Sequence, residues 1–420
     1  MVPGDTEKEA FLREPQLVLH YYGASLFAFF LPLWQDVLPI LSVLLVLNGI
    51  LFAFRRPEHV RSAFSEKGRH TQPLLLIAFF LLYLIGTSFS ENFSVALFDL
   101  QKKLGFLFFP LLFWVMPRPS SKVLTRILMG FLLGCTVVVF TGIYHALCQF
   151  LGPGEGETYR FLYGEHFAYN MHRGYLAMYL LFGTMVLMNW SRGPIRRVWP
   201  YLLLLPILLA GVFLTASRSA LLVLPLLVII YGFRSMKGSI AKRSGVVALA
   251  FLILGTAFFL FPRNQHRFQE LYDQVKEGYE GIDRDSPSGI GARLLIWSVG
   301  KRLFLDNWLK GTGTGDEDAA LRRAYEEKGW EFLENKRLNA HSQYLQTGLA
   351  IGVLGLLVLV GIFLKGLQEG WQEHPLLLYL SIILMVSALF ESILERQAGI
   401  LFMAFFVPLL AFSPERKAQN

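Results

Sequence analysis

Apolar residues in this chain fill whole stretches rather than recurring at intervals, and short polar connectors separate the stretches. Read with a window of about 19 residues, the runs fall near 17–34, 37–54, 73–89, 103–116, 125–150, 172–190, 198–215, 219–233, 245–261, 341–364, 375–390 and 397–412. A bilayer core takes roughly 20 apolar residues per helical crossing, and an open chain can satisfy its backbone there only as helix. The pattern therefore predicts an all-α polytopic membrane protein with about twelve transmembrane helices, or eleven or thirteen where the shorter runs pair or split.

The remaining sequence organises around those runs. Residues 1–261 carry the first nine, 262–340 form one large polar segment, and 341–420 carry the last three with a tail. The large segment has helical patterning of its own. Phe268, Leu271, Tyr272 and Val275 mark one amphipathic stripe, and Leu294, Leu295, Trp297, Leu303 and Phe304 a second that stops before the glycines of GTGTG at 311–315. Helices of this kind are expected to lie on the membrane surface.

Charge sets the orientation. Alternate connectors are basic, with Arg55, Arg56, Arg61, Lys67 and Arg69, then Arg118, Lys122 and Arg126, then Arg192, Arg196 and Arg197, then Arg234, Lys237, Lys242 and Arg243. The intervening ones are sparse. The positive-inside bias then places both termini in the cytoplasm and 262–340 outside it. The net charge of +8 is thus spent on topology, and no nucleic-acid partner is expected. Hydrophobic residues make up 54% and charged residues 17%, which excludes an ordinary water-soluble domain. Cys135 and Cys148 share one run and lie about 20 Å apart along a helix, too far for a disulfide. The polar, acidic start of the chain is not expected to act as a cleaved signal peptide.

Four short sequences stand at the outer ends of runs or in the large segment: TASRS at 215–219, GARLLIW at 291–297, LKGTGTG at 309–315 and NAHSQYLQ at 339–346. In that order, with the large segment before the tenth run, the chain resembles the O-antigen ligase and polymerase superfamily. The resemblance implies an inner-membrane glycosyltransferase that moves a glycan from undecaprenyl diphosphate to the lipid A core at the periplasmic face, with Arg218, Arg293 and His341 as its essential residues. Ser342 stands where many members carry Asn. A polymerase, which extends another lipid-linked repeat, remains the alternative; the single dominant outer segment favours a ligase, although 151–171 is a second outer loop of intermediate size.

The residue types suit that chemistry without the resemblance. Displacing a diphosphate needs cations on the developing phosphate charge and a base for the acceptor hydroxyl. Arginine offers a planar fork that stays charged, and histidine a neutral imidazole near pH 7. Direct attack inverts the anomeric carbon. Further candidates for substrate contact are His172 and Arg173 at the sixth run, Lys102 and Lys103 at the start of the fourth, and Glu391, Glu395 and Arg396 between the last two runs. Glu391 and Glu395 would repel as an i, i+4 pair unless Arg396 or Arg218 stands between them. Asp283 with Asp285, and Asp316–Asp318, have the look of metal-binding acidic pairs but are expected to be solvated loop residues, so no metal and no cofactor are expected. Glycines 348, 352, 355 and 361 are expected to be a packing stripe. A transporter or lipid-linked oligosaccharide flippase has as many spans, but its ionisable groups would sit near the midplane rather than at one interface.

Overall fold

The computed structural model describes residues 14–65, 71–151, 163–190, 203–235, 244–245, 247–252, 255, 281–285, 287 and 289–413. Among them the chain is helical, with no strand. In chain order the helices are α1 (Pro15–Phe30), α2 (Leu38–Arg55), α3 (Pro57–Ser65), α4 (Thr71–Thr87), α5 (Phe93–Lys103), α6 (Gly105–Val115), α7 (Ser121–Leu151), α8 (Arg173–Trp190), α9 (Leu204–Leu214) and α10 (Arg218–Ser235). There follow α11 (Gly289–Asp306), α12 (Glu317–Glu327), α13 (Glu331–Asn335), α14 (Gln343–Gln372), α15 (Pro375–Phe390) and α16 (Gln397–Ala411). The expected run at 245–261 is described only in part, and the stripe from Phe268 to Val275 lies outside the described residues.

Among the described residues, four helices are long and apolar enough to cross a membrane, spanning Gln35–Arg55, Ser121–Leu151, Arg218–Ser235 and Gln343–Gln372. Shorter apolar helices stand at Thr71–Thr87, Leu204–Leu214, Pro375–Phe390 and Gln397–Ala411. With no water-facing side to spare, α8 and α16 are buried around their whole circumference, which marks them as the centre of the bundle. Phe131, Phe182, Phe402 and Phe406 interlock there, with ring centroids as close as 4.9 Å between Phe131 and Phe406. Helix α2 has the opposite character: Leu41, Leu45 and Phe52 face inward while Ile40, Val43, Leu47 and Phe54 are exposed. An apolar helix exposing such side chains is solvated by lipid tails.

Small residues set the tightest crossing. A Cβ on Gly130 would lie 2.4 Å from the carbonyl oxygen of Ser25, and one on Gly134 would lie 2.1 Å from that of Phe29. Backbone therefore touches backbone where α7 crosses α1.

Two sequence expectations shift. Lys102 and Lys103 end α5 instead of beginning the fourth run, because the chain turns at Leu104 and restarts as α6. At roughly 1.5 Å per residue, the 11 residues of α6 reach only about 17 Å, short of a full crossing. In α11 the inward stripe is Ala292, Leu295, Ile296 and Val299, an i, i+3, i+4, i+7 set, whereas Leu294 is exposed. This face joins Leu321, Tyr325, Trp330 and Leu333 of α12 and α13 in a second small core that rests on α14.

Helix α14 is broken at Ile351 and Gly352, where Gly352 has φ 69°. The glycine-rich strap after α11 fills the break. Thr312 N–H donates to Leu349 O at 2.7 Å, Gly313 N–H to Ala350 O at 3.1 Å, and Val353 N–H to Trp308 O at 2.7 Å. Carbonyls and amides released by the break are thereby satisfied by the strap. Among the expected packing glycines, Gly348 does pack, under the ring of Phe304. Gly352 is instead the break itself.

Candidate functional site

Helix beginnings converge at one end of the bundle. Arg218 is the first residue of α10, Arg293 lies in the second turn of α11, His341 precedes the start of α14, and Arg173 opens α8 with His172 before it. Helix N-termini carry unpaired N–H groups and a partial positive charge, so this end of the fold favours an anion before any side chain is counted.

The turn before Arg218 is tightly made. Thr215 Oγ1 donates to Val212 O at 2.7 Å, Ser217 N–H donates to Thr215 Oγ1 at 3.3 Å, and Ala216 takes φ 46°. His341 takes φ 45° and its N–H donates to Asn339 Oδ1 at 3.1 Å. Left-handed backbone is costly for residues with a Cβ and persists where surroundings impose it, often at functional sites. Two of the three such non-glycine residues among those described sit at the arginine turn and at the histidine; Arg337 is the third.

The side chains meet around Glu391, which ends α15. His341 Nδ1 lies 3.5 Å from Glu391 Oε1, and Arg293 Nη2 lies 3.9 Å from Glu391 Oε2. Arg218 reaches the beginning of α11, its Nη2 being 3.5 Å from where a Cβ on Gly289 would stand. The glycine leaves room for the guanidinium beside the backbone that leads to Arg293. Arg173 Nε pairs with Glu165 Oε1 at 3.2 Å, and His172 Nε2 lies 4.0 Å from the same oxygen.

These charges act on one another. Burial alone would raise the Glu391 carboxyl, but the adjoining imidazole of His341 and the charges of His341, His172 and Arg293 outweigh it and hold the group below its usual value. Burial lowers His172, with Arg396 and Arg173 acting in the same direction, while Glu391 and Glu165 oppose. For Arg293, burial lowers the guanidinium and Glu391 opposes, and its Nε is buried without a hydrogen-bond partner. A half-buried guanidinium whose Nε has no partner can still take an acceptor.

Of the residues picked from sequence, His341, Arg293, Glu391, His172 and Arg173 stand within electrostatic reach of one another, with Arg396 beside His172 and Arg218 at the start of α11. Lys102, Lys103 and Glu395 form a different cluster. Lys103, fully buried, pairs with Glu395 at 3.1 Å, and Lys102 pairs with Asp99. The expected repulsion of Glu391 and Glu395 does not arise, because 391–396 is an irregular turn in which the first points to His341 and Arg293 and the second to Lys103. Glu165 was not anticipated; its only sequence signal is an acidic residue ahead of the His172–Arg173 pair. Asp283 accepts from Asp285 N–H at 3.0 Å in an exposed turn, but Asp316 and Glu317 are buried at the start of α12 and not solvated, because Asp316 accepts from Ser90 Oγ and the N–H groups of Glu91 and Asn92.

No curated protein matches the chain. The model of the O-antigen ligase family matches residues 201–360, a stretch that holds Arg218, Arg293, His341, the strap and the break in α14. Over residues 201–360 the chain is thus similar to the O-antigen ligase family, and its long apolar helices are those of a multi-pass membrane protein.

Proposed function

We propose that the protein transfers a glycan from undecaprenyl diphosphate to the lipid A core oligosaccharide at the periplasmic face of the bacterial inner membrane. In this reading the chain crosses about twelve times, its termini are cytoplasmic, and 262–340 is periplasmic. The observation that carries it is the grouping of Arg293, His341 and Glu391, with Arg218 at the neighbouring start of α11, where helix N-termini converge.

Each part has a task. Arg218 and Arg293 hold the diphosphate and take up the negative charge that grows as the glycosidic carbon–oxygen bond breaks. With Nδ1 turned to Glu391, His341 has Nε2 for the acceptor hydroxyl and removes its proton as the oxygen attacks the anomeric carbon. The bonding pair leaves with undecaprenyl diphosphate, and the configuration inverts. Glu391 stabilises the imidazolium so formed. The arginines supply the positive charge that balances the diphosphate, so the transfer step itself uses no metal. Arg173 and His172, with Glu165, border the same region and are placed for substrate contact, as is Arg396.

Incubating the purified protein with undecaprenyl-diphosphate-linked glycan and lipid A core tests the reading. Lengthened core lipid supports a ligase. Longer glycan on the undecaprenyl carrier would make the protein a polymerase, a reading that shares the same site, and no new glycosidic bond would move the transporter reading forward.

A further inference from the structure

Outside the proposed transfer site lies a second, deeper ionic cluster. It is built from Asp99, Lys102 and Lys103 at the end of α5, Glu317 and Asp318 at the start of α12, and Glu395 in the turn before α16. Asp99, Glu317 and Glu395 each bring a carboxylate oxygen to within 4.8 Å of the others. Glu317 is 2% exposed and Lys103 0%.

Known partners do not exhaust these oxygens. Lys103 takes Glu395 Oε2 and Lys102 takes Asp99 Oδ1. Gln346 Nε2 donates to Asp318 Oδ1 at 3.0 Å and Glu317 Oε1 at 3.4 Å. Glu317 Oε2 and Glu395 Oε1 stay buried with no hydrogen-bond partner, and Lys103 sits 4.6 Å over the ring of Tyr83. With all four carboxyls ionised, Asp99, Glu317, Asp318 and Glu395 would exceed the two ammonium groups of Lys102 and Lys103 by two charges in a buried site. Such an excess is met by a cation or by protons.

We propose that Asp99, Glu317 and Glu395 bind one calcium ion, which ties the α11–α13 unit to the membrane bundle. An all-carboxylate donor set selects a hard cation. Calcium accepts carboxylate oxygens at about 2.3–2.6 Å in flexible geometry, which suits donors that also hold other partners, whereas magnesium demands a near-ideal octahedron at about 2.0–2.1 Å. The three donors come from α5, α12 and the turn before α16, elements far apart in sequence, so the ion acts as a cross-link. It lies apart from the arginines that hold diphosphate, and it stands or falls independently of the transfer reading.

The test uses the full-length protein in nanodiscs, stripped with chelator and titrated with calcium chloride, following bound calcium and Tm. Expected are one saturable calcium per chain, a rise in Tm, and at least about tenfold weaker binding in Glu317→Gln. Should that variant fail to accumulate, Asp99→Asn is expected to show the same loss. No saturable binding to wild type up to about 10 mM, an order of magnitude beyond the weakest ordinary calcium modules, would overturn the proposal. So would tighter binding of magnesium, or a Glu317→Gln variant at least as stable as calcium-loaded wild type, which would mean that the carboxyls hold protons.

Discussion

Glu391 stands between the two residues that the proposed transfer needs most, with one carboxylate oxygen 3.5 Å from His341 Nδ1 and the other 3.9 Å from Arg293 Nη2. In the proposed transfer this contact leaves Nε2 of His341 for the acceptor hydroxyl and sets a carboxylate beside the imidazolium. Glu391→Gln should therefore lower kcat by about tenfold to a hundredfold while changing the KM for donor less. His341→Ala should cost about a hundredfold to ten-thousandfold in kcat. Steady-state kinetics at matched protein levels separates the two.

The same carboxylate makes stability depend on pH. Its folded value lies below the ordinary 4.5 because of His341, His172 and Arg293. A depressed carboxylate contributes stability that is present above its unfolded pKa and is lost as pH falls through the folded one. The Tm of wild type should thus exceed that of Glu391→Gln at neutral pH, and the gap should narrow below pH 4.5. A gap that widened on acidification would contradict the ion-pair account.

Charge alone should not replace the arginines. Arg218→Lys and Arg293→Lys keep one positive charge but lose the planar fork. A loss of about a hundredfold or more in kcat/KM is expected for each, with little rescue relative to Ala. Full activity of Arg293→Lys would reduce that residue to a surface cation.

The strap in the broken helix can be tested by its glycine. A Cβ on Gly352 would meet Leu309 O at 2.3 Å, and the residue has φ 69°. The backbone term alone is about 1–2 kcal/mol, so Gly352→Ala should lower Tm measurably and loosen protease protection around 308–315. Gly361→Ala, whose nearest contact would be 4.0 Å to Leu75, should leave both unchanged.

Much of the scaffold was legible because helices in lipid are apolar along their length, and the runs at 375–390 and 397–412 coincide with α15 and α16 almost residue for residue. The placement of charged groups at helix ends was legible for a related reason. An arginine in the short TASRS turn and a histidine before α14 are polar groups at a boundary where apolar ones are expected. Pairings across the fold left no such trace. Lys103 reads locally as an anchor at a helix end, and its partner Glu395 lies 292 positions away. Glu391 and Glu395 read as a helical pair because nothing in ESILER shows that the chain is irregular there. Leu294 entered the wrong stripe because α11 is apolar on more than one face, and only its contacts with α12 choose between them.

The most direct test of the central claim is glycan transfer by purified wild type and His341→Ala, each supplied with undecaprenyl-diphosphate-linked glycan and lipid A core. Lengthened core lipid with wild type, and at least about a hundredfold less with His341→Ala, is the expected result. Equal product from both would remove the histidine as base, and no product from either would contradict the assignment as a transferase of this lipid donor.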